Sequence, residues 1–534
     1  MKSQSTGKGF AILSSAQIIS RIVSILYLPF LINILSEKGY GIYGSAYIIF
    51  SFIYVITNAG IPVAISKIMS EFIAVENYKD AIKSFKMARA ILIFLGIVMS
   101  VLMFFLAEPL CNITQSQSAV LSIKALSPTI FFTSILSAYR GYFQGRANMI
   151  PTAISQVIEQ IVNMIFSLVF AALLMKYGPE VGAAGGTVGT SLGALVACIY
   201  LIMVYNKNKY IKVSKKHNVR RRPRHTNKRL FKKIIYYALP MVVCVGLQNA
   251  GTLIDLWNVK SRLIAAGFAA QKEVRFGWLT KYNSLINVPI GIIGCLQAAL
   301  LPAISGAAAV NNKKEVERKI NYAFRVCFLI SVPSAFGLAV LSKPIYLLLH
   351  IHGGDQLMLL GAVVVIFWSA VQIQTTILQG LGRLYIVTLY AVLGLICKIS
   401  INYVLVGIPK LNILGAVFGN MACFIVPLIL NYFTINKILK IKVNLIGSMK
   451  KPIFASIIMS IAAFTSCFGL DYLFSLINEG YLSNAVATII SIGISGLIYL
   501  YVLICIKGIT KKDLDVIPNK IRKVIPKKFI QKMR

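Results

Sequence analysis

The apolar segments of this chain repeat as a block of six. Four landmarks recur in the same order: Ala64-Ile65-Ser66 as Ala303-Ile304-Ser305, Arg89 as Arg325, Glu108-Pro109-Leu110 as Lys343-Pro344-Ile345, and Gln144-Gly145 as Gln379-Gly380. Their offsets lie between 235 and 239 residues, and differences in loop length explain the drift. Because six is an even number, both copies enter a bilayer from the same side, which predicts parallel repeats about an axis along the membrane normal. The pattern indicates the two lobes of a transporter.

Apolar residues dominate the chain far beyond what one soluble core requires. Of its 534 residues, 57% are hydrophobic and 13% are charged, a balance typical of polytopic helical membrane proteins. Fourteen segments are long enough to cross about 30 Å of hydrocarbon as helices. We place them at 10–35, 41–66, 88–107, 119–139, 152–176, 182–205, 234–256, 278–300, 322–346, 357–379, 384–408, 413–436, 452–474 and 483–506. The predicted fold is an all-α membrane protein with about 14 transmembrane helices.

The repeat and the charge pattern divide the chain into five parts. They are an N-lobe of spans 1 to 6 (1–205), a polybasic linker (206–233), a C-lobe of spans 7 to 12 (234–436), two extra helices (437–506) and a basic tail (507–534). The linker has thirteen basic and no acidic residues, so we expect it to lie in the cytoplasm and to attract anionic inner-leaflet lipids. A topology anchor is the simpler interpretation of the same charge run.

Lysine and arginine decide the orientation. With both termini in the cytoplasm, 43 of the 55 basic residues fall in inner segments or at the inner ends of spans, and 8, including Lys260, fall in outer loops or at the outer ends of spans. Arg140 belongs to the inner loop between spans 4 and 5 in this count. The asymmetry follows the positive-inside rule and predicts a multi-pass membrane protein with both termini in the cytoplasm. It also accounts for the net charge of +39 without nucleic acid as a partner.

The residue types needed for enzyme chemistry are scarce. None of the four histidines has an acidic or cysteine partner at metal-ligand spacing, and no Walker A pattern occurs. We therefore expect neither catalysis nor a metal or cofactor. The stretch GAAGGTVGTSLGA places Gly185, Gly189 and Gly193 four residues apart, which predicts a smooth ridge on span 6 for close helix packing.

Polar residues form stripes along six of the spans. They are Ser14, Gln17, Arg21 and Ser24 in span 1; Gln156, Glu159, Gln160, Asn163 and Ser167 in span 5; Gln248, Thr252 and Asp255 in span 7; Lys281, Ser284 and Asn287 in span 8; Gln372, Thr375 and Gln379 in span 10; and Lys398 and Asn402 in span 11. Any single stripe is equally consistent with hydrogen bonding between helices. Since charges in a bilayer face a cavity or a partner, the six together favour a water-filled cleft between the lobes.

The signs of these charges indicate the cargo. Arg21, Lys281 and Lys398 stand against Glu159 and Asp255, a balance that suits an anionic, hydrogen-bonding cargo such as a phosphorylated lipid-linked sugar. A cavity for organic cations should instead be dominated by carboxylates and aromatic rings.

Three segments carry a family resemblance: AGIPVAISK (59–67), RGYFQGRANMIPTAISQVIEQIV (140–162) and LLPAIS (300–305). They resemble the stage V sporulation protein B family of polysaccharide transporters, relatives of the lipid II flippases in the superfamily that includes multidrug and toxin extrusion proteins. The resemblance implies two six-helix bundles around a V-shaped central cavity, with two extra C-terminal helices. It also implies movement of an undecaprenyl-linked cell-wall precursor to the outer leaflet by alternating access.

The resemblance also assigns roles to individual residues. Arg21 matches the family's cavity arginine, and Lys281 would replace the basic residue of span 8, so both are expected at the cargo headgroup with Gln17, Glu159 and Asn163. Some relatives hold sodium between spans 7, 11 and 12, where Asp255 would be the carboxylate. Lys398 and Asn402 stand where an Asn and an Asp would suit sodium. Our hypothesis is that the Lys398 ammonium replaces the ion and pairs with Asp255.

Two function classes remain open at this point. The first is a flippase for an undecaprenyl-pyrophosphate-linked precursor, lipid II or a related oligosaccharide, in peptidoglycan or spore cortex synthesis. The second is a cation-coupled exporter of small drugs, in which Glu159 and Asp255 would accept protons or cations. A scaffold for wall synthesis would fit the basic linker but would not explain the polar stripes. We expect the protein to act as a monomer.

Overall fold

Helices joined by short turns make up the part of the chain that the structure describes. The computed structural model describes residues 6–58, 60–207, 226–309, 313–349, 351, 353–439, 444–475 and 481–508. Contacts group the chain into two units, Met1–Thr280 (unit 1) and Lys281–Arg534 (unit 2). The predicted basic tail lies outside the described residues from position 509 onward, as do all four histidines.

Seventeen α-helices follow one another in the described ranges. Unit 1 contains α1 (Thr6–Asn58), α2 (Ile61–Ala74), α3 (Tyr78–Phe105), α4 (Ala107–Ile113), α5 (Val120–Gly145), α6 (Ile150–Leu174), α7 (Pro179–Lys207) and α8 (Asn227–Ala265). α9 (Lys272–Ala309) begins in unit 1 and continues into unit 2. Unit 2 also contains α10 (Lys313–Val340), α11 (Ser342–Leu348), α12 (Asp355–Gly361), α13 (Val364–Gly380), α14 (Leu384–Leu405), α15 (Gly415–Leu439), α16 (Leu445–Ser475) and α17 (Tyr481–Cys505).

Local signals in the sequence start several of these helices. The Asn77 side chain caps α3 by accepting from the backbone N–H of Asp80 at 3.3 Å, and the Thr226 hydroxyl caps α8 by accepting from that of Arg229 at 3.4 Å. A proline occupies the first turn of α2 and of α6, where its missing N–H would have no helical partner. These caps satisfy donors that a helix leaves unpaired at its N-terminus.

The first two predicted spans are divided differently from the hydropathy pattern. α1 is broken at Ser36, whose φ of 58° and ψ of 178° are not helical, and this break separates predicted spans 1 and 2. Predicted span 2 does not run unbroken to residue 66, because α1 ends at Asn58 and α2 starts at Ile61. Gly60 lies at this second break, where a side chain would collide with the carbonyl of Ala238.

Ten described helical segments are long and apolar enough to cross a membrane. The bent pair α12 and α13, which meet at 52°, makes eleven if it forms one span. One of the ten, Ser15–Val55, is 41 residues long and includes the break at Ser36. Spans 7 and 8, predicted in α8 and α9, are not among them. The all-helical membrane fold is confirmed, whereas the count of fourteen stays a prediction.

The sequence repeat reappears in the order of the helices. In both copies a 28-residue helix is followed at once by a seven-residue helix: α3 by α4, and α10 by α11. These short helices start 235 residues apart, at Ala107 and Ser342. The next long helices end 235 residues apart, at Gly145 and Gly380. The internal repeat is therefore structural as well as sequential.

The predicted glycine ridge holds α6 against α7. A Cβ at Gly185 would lie 2.5 Å from the carbonyl oxygen of Phe170, and one at Gly193 would lie 2.6 Å from that of Glu159. Gly189 is equally close, with the Asn163 carbonyl oxygen 2.6 Å from its absent Cβ. The prediction of close packing is confirmed, and it fixes the height of Glu159 and Asn163 on α6 relative to α7.

Unit 2 repeats this type of packing between α14 and α15. A Cβ at Gly394 would lie 2.7 Å from Cγ of Pro427, and one at Gly419 would overlap the side-chain oxygen of Asn402. α10 packs on α13 and α16, and α16 pairs with α17. The two C-terminal helices α16 and α17 thus attach to unit 2 through α10 and α11.

α8 opens the predicted C-lobe but is fastened to unit 1. At its start Lys233 forms an ion pair with Glu71 of α2 at 2.7 Å, and the Tyr237 hydroxyl donates to the same carboxylate at 3.3 Å. The contact boundary therefore falls at 280/281, whereas the repeat divides the chain at 206–233. The predicted linker needs a correction, because residues 227–233 form the first two turns of α8. Residues 208–225 lie outside the described part.

Candidate functional site

Polar side chains from four helices of unit 1 form hydrogen-bonded clusters on neighbouring helices, which we call together the unit 1 polar face. Its members are Tyr47 and Asn58 on α1, Thr133, Ser137 and Arg140 on α5, Ser155, Glu159 and Asn163 on α6, and Thr190 on α7. Polar groups within a membrane bundle are costly unless they are bonded or face water, so such a surface marks a functional region.

An ion pair between α5 and α6 forms the charged part of this face. Arg140 Nη2 donates to Glu159 Oε2 at 2.6 Å, and Arg140 Nε donates to Ser155 Oγ at 3.1 Å. The two charged side chains keep 16% and 25% of their surface exposed. Glu159 was predicted as a headgroup residue, and the structure adds that it has a cationic partner.

The prediction for Arg140 was wrong in its location. The sequence count placed it in an inner loop after a span ending at 139, but α5 continues to Gly145. Arg140 therefore lies inside a helix. The signal that could have identified Arg140 is the opposite charge of Glu159 on the next helix of the chain.

A hydrogen-bonded cluster extends the polar face along α1 and α5. The Asn58 amide donates to Thr133 Oγ1 at 3.3 Å and to Thr57 Oγ1 at 2.8 Å, and the Ser137 hydroxyl donates to the Asn58 side-chain oxygen. Ser137 lies one turn before Arg140 on α5. Sequence reasoning missed this cluster because hydroxyl residues on an apolar helix give no stripe that differs from ordinary packing.

Asn163 is the centre of a second cluster. Its side-chain oxygen accepts from Ser167 Oγ at 2.9 Å and from Thr190 Oγ1 of α7 at 3.1 Å, while Thr190 also bonds the Tyr47 hydroxyl. The interpretation of the span 5 stripe as hydrogen bonding between helices thus holds for Asn163. Its bonded oxygen leaves the amide nitrogen as the group that could serve a ligand.

α1 brings the other two predicted unit 1 residues beside α6. The Ser20 hydroxyl reaches the backbone oxygen of Gln156 at 3.5 Å, and the two helices pack along one another. Gln17 and Arg21 flank Ser20, and both side chains are exposed. The structure therefore places Gln17, Arg21, Glu159 and Asn163 on neighbouring helices, as a common headgroup site requires.

The remaining predicted residues are mostly buried. Asp255 in unit 1 is 8% exposed; in unit 2, Lys281 is 1% exposed, Asn402 is fully buried against Gly419, and Lys398 is half-buried. A pair between Asp255 and Lys398 would join residues of two units that the structure describes separately, and it stays a prediction. The same holds for a headgroup site that includes Lys281.

A buried ion pair at the other end of unit 1 was missed altogether. Lys260 Nζ lies 2.7 Å from Glu273 Oε2 and donates to Ser116 Oγ at 3.0 Å; the two charged side chains are 0% and 7% exposed. The outer-loop assignment of Lys260 is corrected, since it lies in α8 and is shielded from solvent. Nearby, Lys124 donates to the exposed Glu108 at 2.7 Å and lowers the pKa of that carboxyl.

The long apolar helices define a class of protein, a multi-pass helical membrane protein with a bonded polar face between its helices. The sequence then places the chain within a family: residues 6–308 match the polysaccharide biosynthesis protein family, and the chain belongs to it.

Curated relatives align along almost the whole chain. The lipid II flippase MurJ of Bacillus subtilis (strain 168) is 25% identical over 520 residues, which cover 92% of this chain and 94% of that protein. Stage V sporulation protein B of the same organism is 26% identical over 535 residues, covering 97% and 98%. The chain is therefore a multi-pass bacterial membrane protein.

Solved structures with the same fold include members of two transporter branches. The inward closed conformation of the lipid II flippase MurJ has a TM-score of 0.65 at 16% identity and covers 92% of this chain and 98% of its own. An inward-facing multidrug resistance MATE family transporter of the MOP superfamily has a TM-score of 0.66 at 16% identity, covering 80% and 99%. At this identity the likeness concerns the fold.

Proposed function

We propose that this protein is a flippase that moves an undecaprenyl-pyrophosphate-linked cell-wall precursor from the inner to the outer leaflet. The precursor is lipid II or a related lipid-linked oligosaccharide of peptidoglycan or spore cortex synthesis. The observation that carries the proposal is the alignment of more than nine-tenths of the chain with a lipid II flippase and a sporulation protein. The unit 1 polar face supports it, because it supplies a guanidinium and amide and hydroxyl donors within an apolar bundle.

The headgroup is bound by cations and amides in this mechanism. A guanidinium binds phosphate through two parallel N–H groups, and Arg21 is exposed on α1. Gln17, Asn163 and Lys281 contribute further donors to the headgroup. Glu159 is held on the polar face by its ion pair with Arg140. Alternating access then carries the headgroup across while the prenyl tail stays in lipid. A cytoplasm-negative potential assists an anionic headgroup by about 2.3 kcal/mol per elementary charge for each 100 mV.

The Lys398 ammonium takes the place of a coupling ion in our proposal, with Asp255 and Asn402 as its partners. Burial of Asp255 and Asn402 supports this role, because a buried carboxylate is retained only with a compensating charge or strong hydrogen bonds. Transport would then need no sodium. The same proposal includes cytoplasmic termini, which the distribution of basic residues supports, a monomeric state, and attraction of the 206–233 segment to anionic inner-leaflet lipids.

A cation-coupled drug exporter is the second candidate, because MATE transporters share the fold. It would use Glu159 and Asp255 as proton or cation acceptors. The 2.6 Å bond between Arg140 and Glu159 favours the flippase, since a carboxylate neutralised by an arginine has no net charge to offer an organic cation.

The deciding experiment measures lipid II at the cell surface. The protein is depleted in a strain that lacks its paralogues, and an externally added toxin that cleaves lipid II reports how much of the lipid it reaches. We expect accessible lipid II to collapse and the inner pool to rise. Unchanged accessibility would exclude lipid II as cargo. The cargo would then be another lipid-linked glycan or a small molecule.

Complementation with variants separates the two candidates. Arg21→Ala should lose flipping and leave drug resistance unaffected, because it removes a phosphate ligand. Arg318→Ala is the matched control, since its side chain is 78% exposed in a surface pair with Glu315 and should behave as wild type. Intact flipping with lost resistance in Arg21→Ala would contradict the flippase.

A further inference from the structure

The end of α5 is fixed in place by two glycines that pack on α2. A Cβ at Gly141 would lie 2.7 Å from the carbonyl oxygen of Pro62, and one at Gly145 would lie 2.6 Å from Cβ of Met69. Backbone packed this closely cannot shift without breaking the interface. Arg140 precedes Gly141 and reaches α6 instead. Its Cα position is therefore determined by α2, and its side-chain position by α6.

α6 uses only part of the donor capacity of Arg140. A guanidinium has five N–H groups in a rigid fork. One on Nε is taken by Ser155 Oγ and one on Nη2 by Glu159 Oε2. Ser155 donates its own proton to the Thr152 carbonyl at 2.7 Å, so it can only accept from Arg140. Within the described residues, the other three N–H groups have no protein acceptor, and the side chain is 16% exposed.

Glu159 orients this guanidinium. A charged side chain within a membrane bundle is costly unless it has a partner, and the Glu159 carboxylate supplies one. The pair is neutral overall, and α1, which packs on α6, carries the exposed Arg21 as a further positive charge of unit 1. Because Ser155 and Glu159 already fix the guanidinium, Arg140 loses little conformational entropy when a ligand accepts from its remaining N–H groups.

We infer that Arg140 is a phosphate-binding residue of the headgroup site and that Glu159 is its positioning residue rather than a ligand of the cargo. The inference rests on the proposed function and deepens it. The ligand chemistry is a diphosphate ester, whose several oxygens accept from the free N–H groups of Arg140 together with Arg21. The competing interpretation is that the pair only fastens α5 to α6.

The test measures binding by the full chain in phosphatidylcholine nanodiscs. The probes are undecaprenyl diphosphate, undecaprenyl monophosphate and inorganic pyrophosphate, and thermal unfolding is recorded for every variant. Arg140→Gln should weaken binding of the diphosphate lipid about tenfold to a hundredfold, as expected for lost charge-assisted hydrogen bonds. It should also lower the preference for diphosphate over monophosphate. Arg140→Lys should fall between wild type and Arg140→Gln, because an ammonium keeps the charge and loses the fork.

Glu159→Gln distinguishes positioning from fastening. Its amide still accepts from Arg140, so the affinity should fall only about threefold, with the diphosphate preference retained. Arg318→Gln is the surface control and should bind as wild type. The inference is overturned if Arg140→Gln keeps the wild-type preference, or if both site variants lose affinity and thermal stability in parallel. If the wild-type protein binds pyrophosphate but neither lipid, the ligand of the site is a free anion and not a lipid headgroup. If the wild-type protein binds none of the three probes, the proposed function itself is rejected.

Discussion

Removing Lys260 should destabilise unit 1 more than any surface change. Its ammonium lies 2.7 Å from Glu273 Oε2 and 3.0 Å from Ser116 Oγ, with no exposed side-chain surface. Coulomb attraction at that distance and an effective dielectric constant of about 20 amounts to about 6 kcal/mol, and the cost of desolvating both ions offsets part of it. Lys260→Met leaves a buried carboxylate without compensation. Breaking such a pair from one side costs about 3–5 kcal/mol.

Thermal unfolding of the purified chain in lipid nanodiscs measures this effect. At about 2 °C for each kcal/mol in a domain of this size, Lys260→Met should lower the midpoint by about 6–10 °C. Lys272→Met is the matched control, because the bond that Lys272 makes to Gln117, at 3.4 Å, is exposed. The double variant Lys260→Met/Glu273→Leu should regain most of the loss, since no charge is then left buried.

Two outcomes would refute this reasoning. A midpoint for Lys260→Met within about 2 °C of the Lys272→Met control would mean that Glu273 finds water or another partner at little cost. A double variant as unstable as the sum of the two single variants would mean that the packing of both side chains, and not their charges, determines stability.

The glycine ridge and the ion hypothesis give the remaining predictions. Gly189→Ala should cost about 1–3 kcal/mol by overpacking, because its Cβ would lie 2.6 Å from the Asn163 carbonyl oxygen, while Gly469→Ala, with no atom within 4 Å, should be neutral or stabilising; unfolding midpoints compare the two. Transport into proteoliposomes should proceed equally with sodium or choline outside if the Lys398 ammonium replaces the ion. Sodium-dependent transport that Asp255→Ala abolishes would contradict the hypothesis that Lys398 replaces the ion.

Features encoded along one helix were predictable from the sequence. The repeat, the helical membrane fold and the ridge of Gly185, Gly189 and Gly193 follow from periodicity and spacing, and the structure has them all. The break at Gly60 was missed because the apolar pattern runs through it. What determines that break is the approach of the Ala238 backbone, which belongs to a helix more than 170 residues away.

Paired charges were the least predictable part of the candidate site. A hydropathy window ends at the first charged residue, which is why Arg140 and Lys260 were assigned to loops. Their partners Glu159 and Glu273 lie on other helices, and only the packed structure shows that each charge is compensated. Span limits set by charge are therefore least reliable where a charge has a partner, and those positions include Arg140 of the proposed headgroup site.

The use of acidic residues bears on which cargo this protein can bind. The whole chain has 55 basic and only 16 acidic residues. Four carboxylates of unit 1 are bonded to cations: Glu71 to Lys233, Glu108 to Lys124, Glu159 to Arg140 and Glu273 to Lys260. An organic cation would have to displace an arginine from Glu159 to bind the polar face, whereas a diphosphate can accept from donors of Arg140 that are already oriented. In the flippase that we propose, the same ion pair that weakens the case for a cation exporter prepares the site for an anionic headgroup.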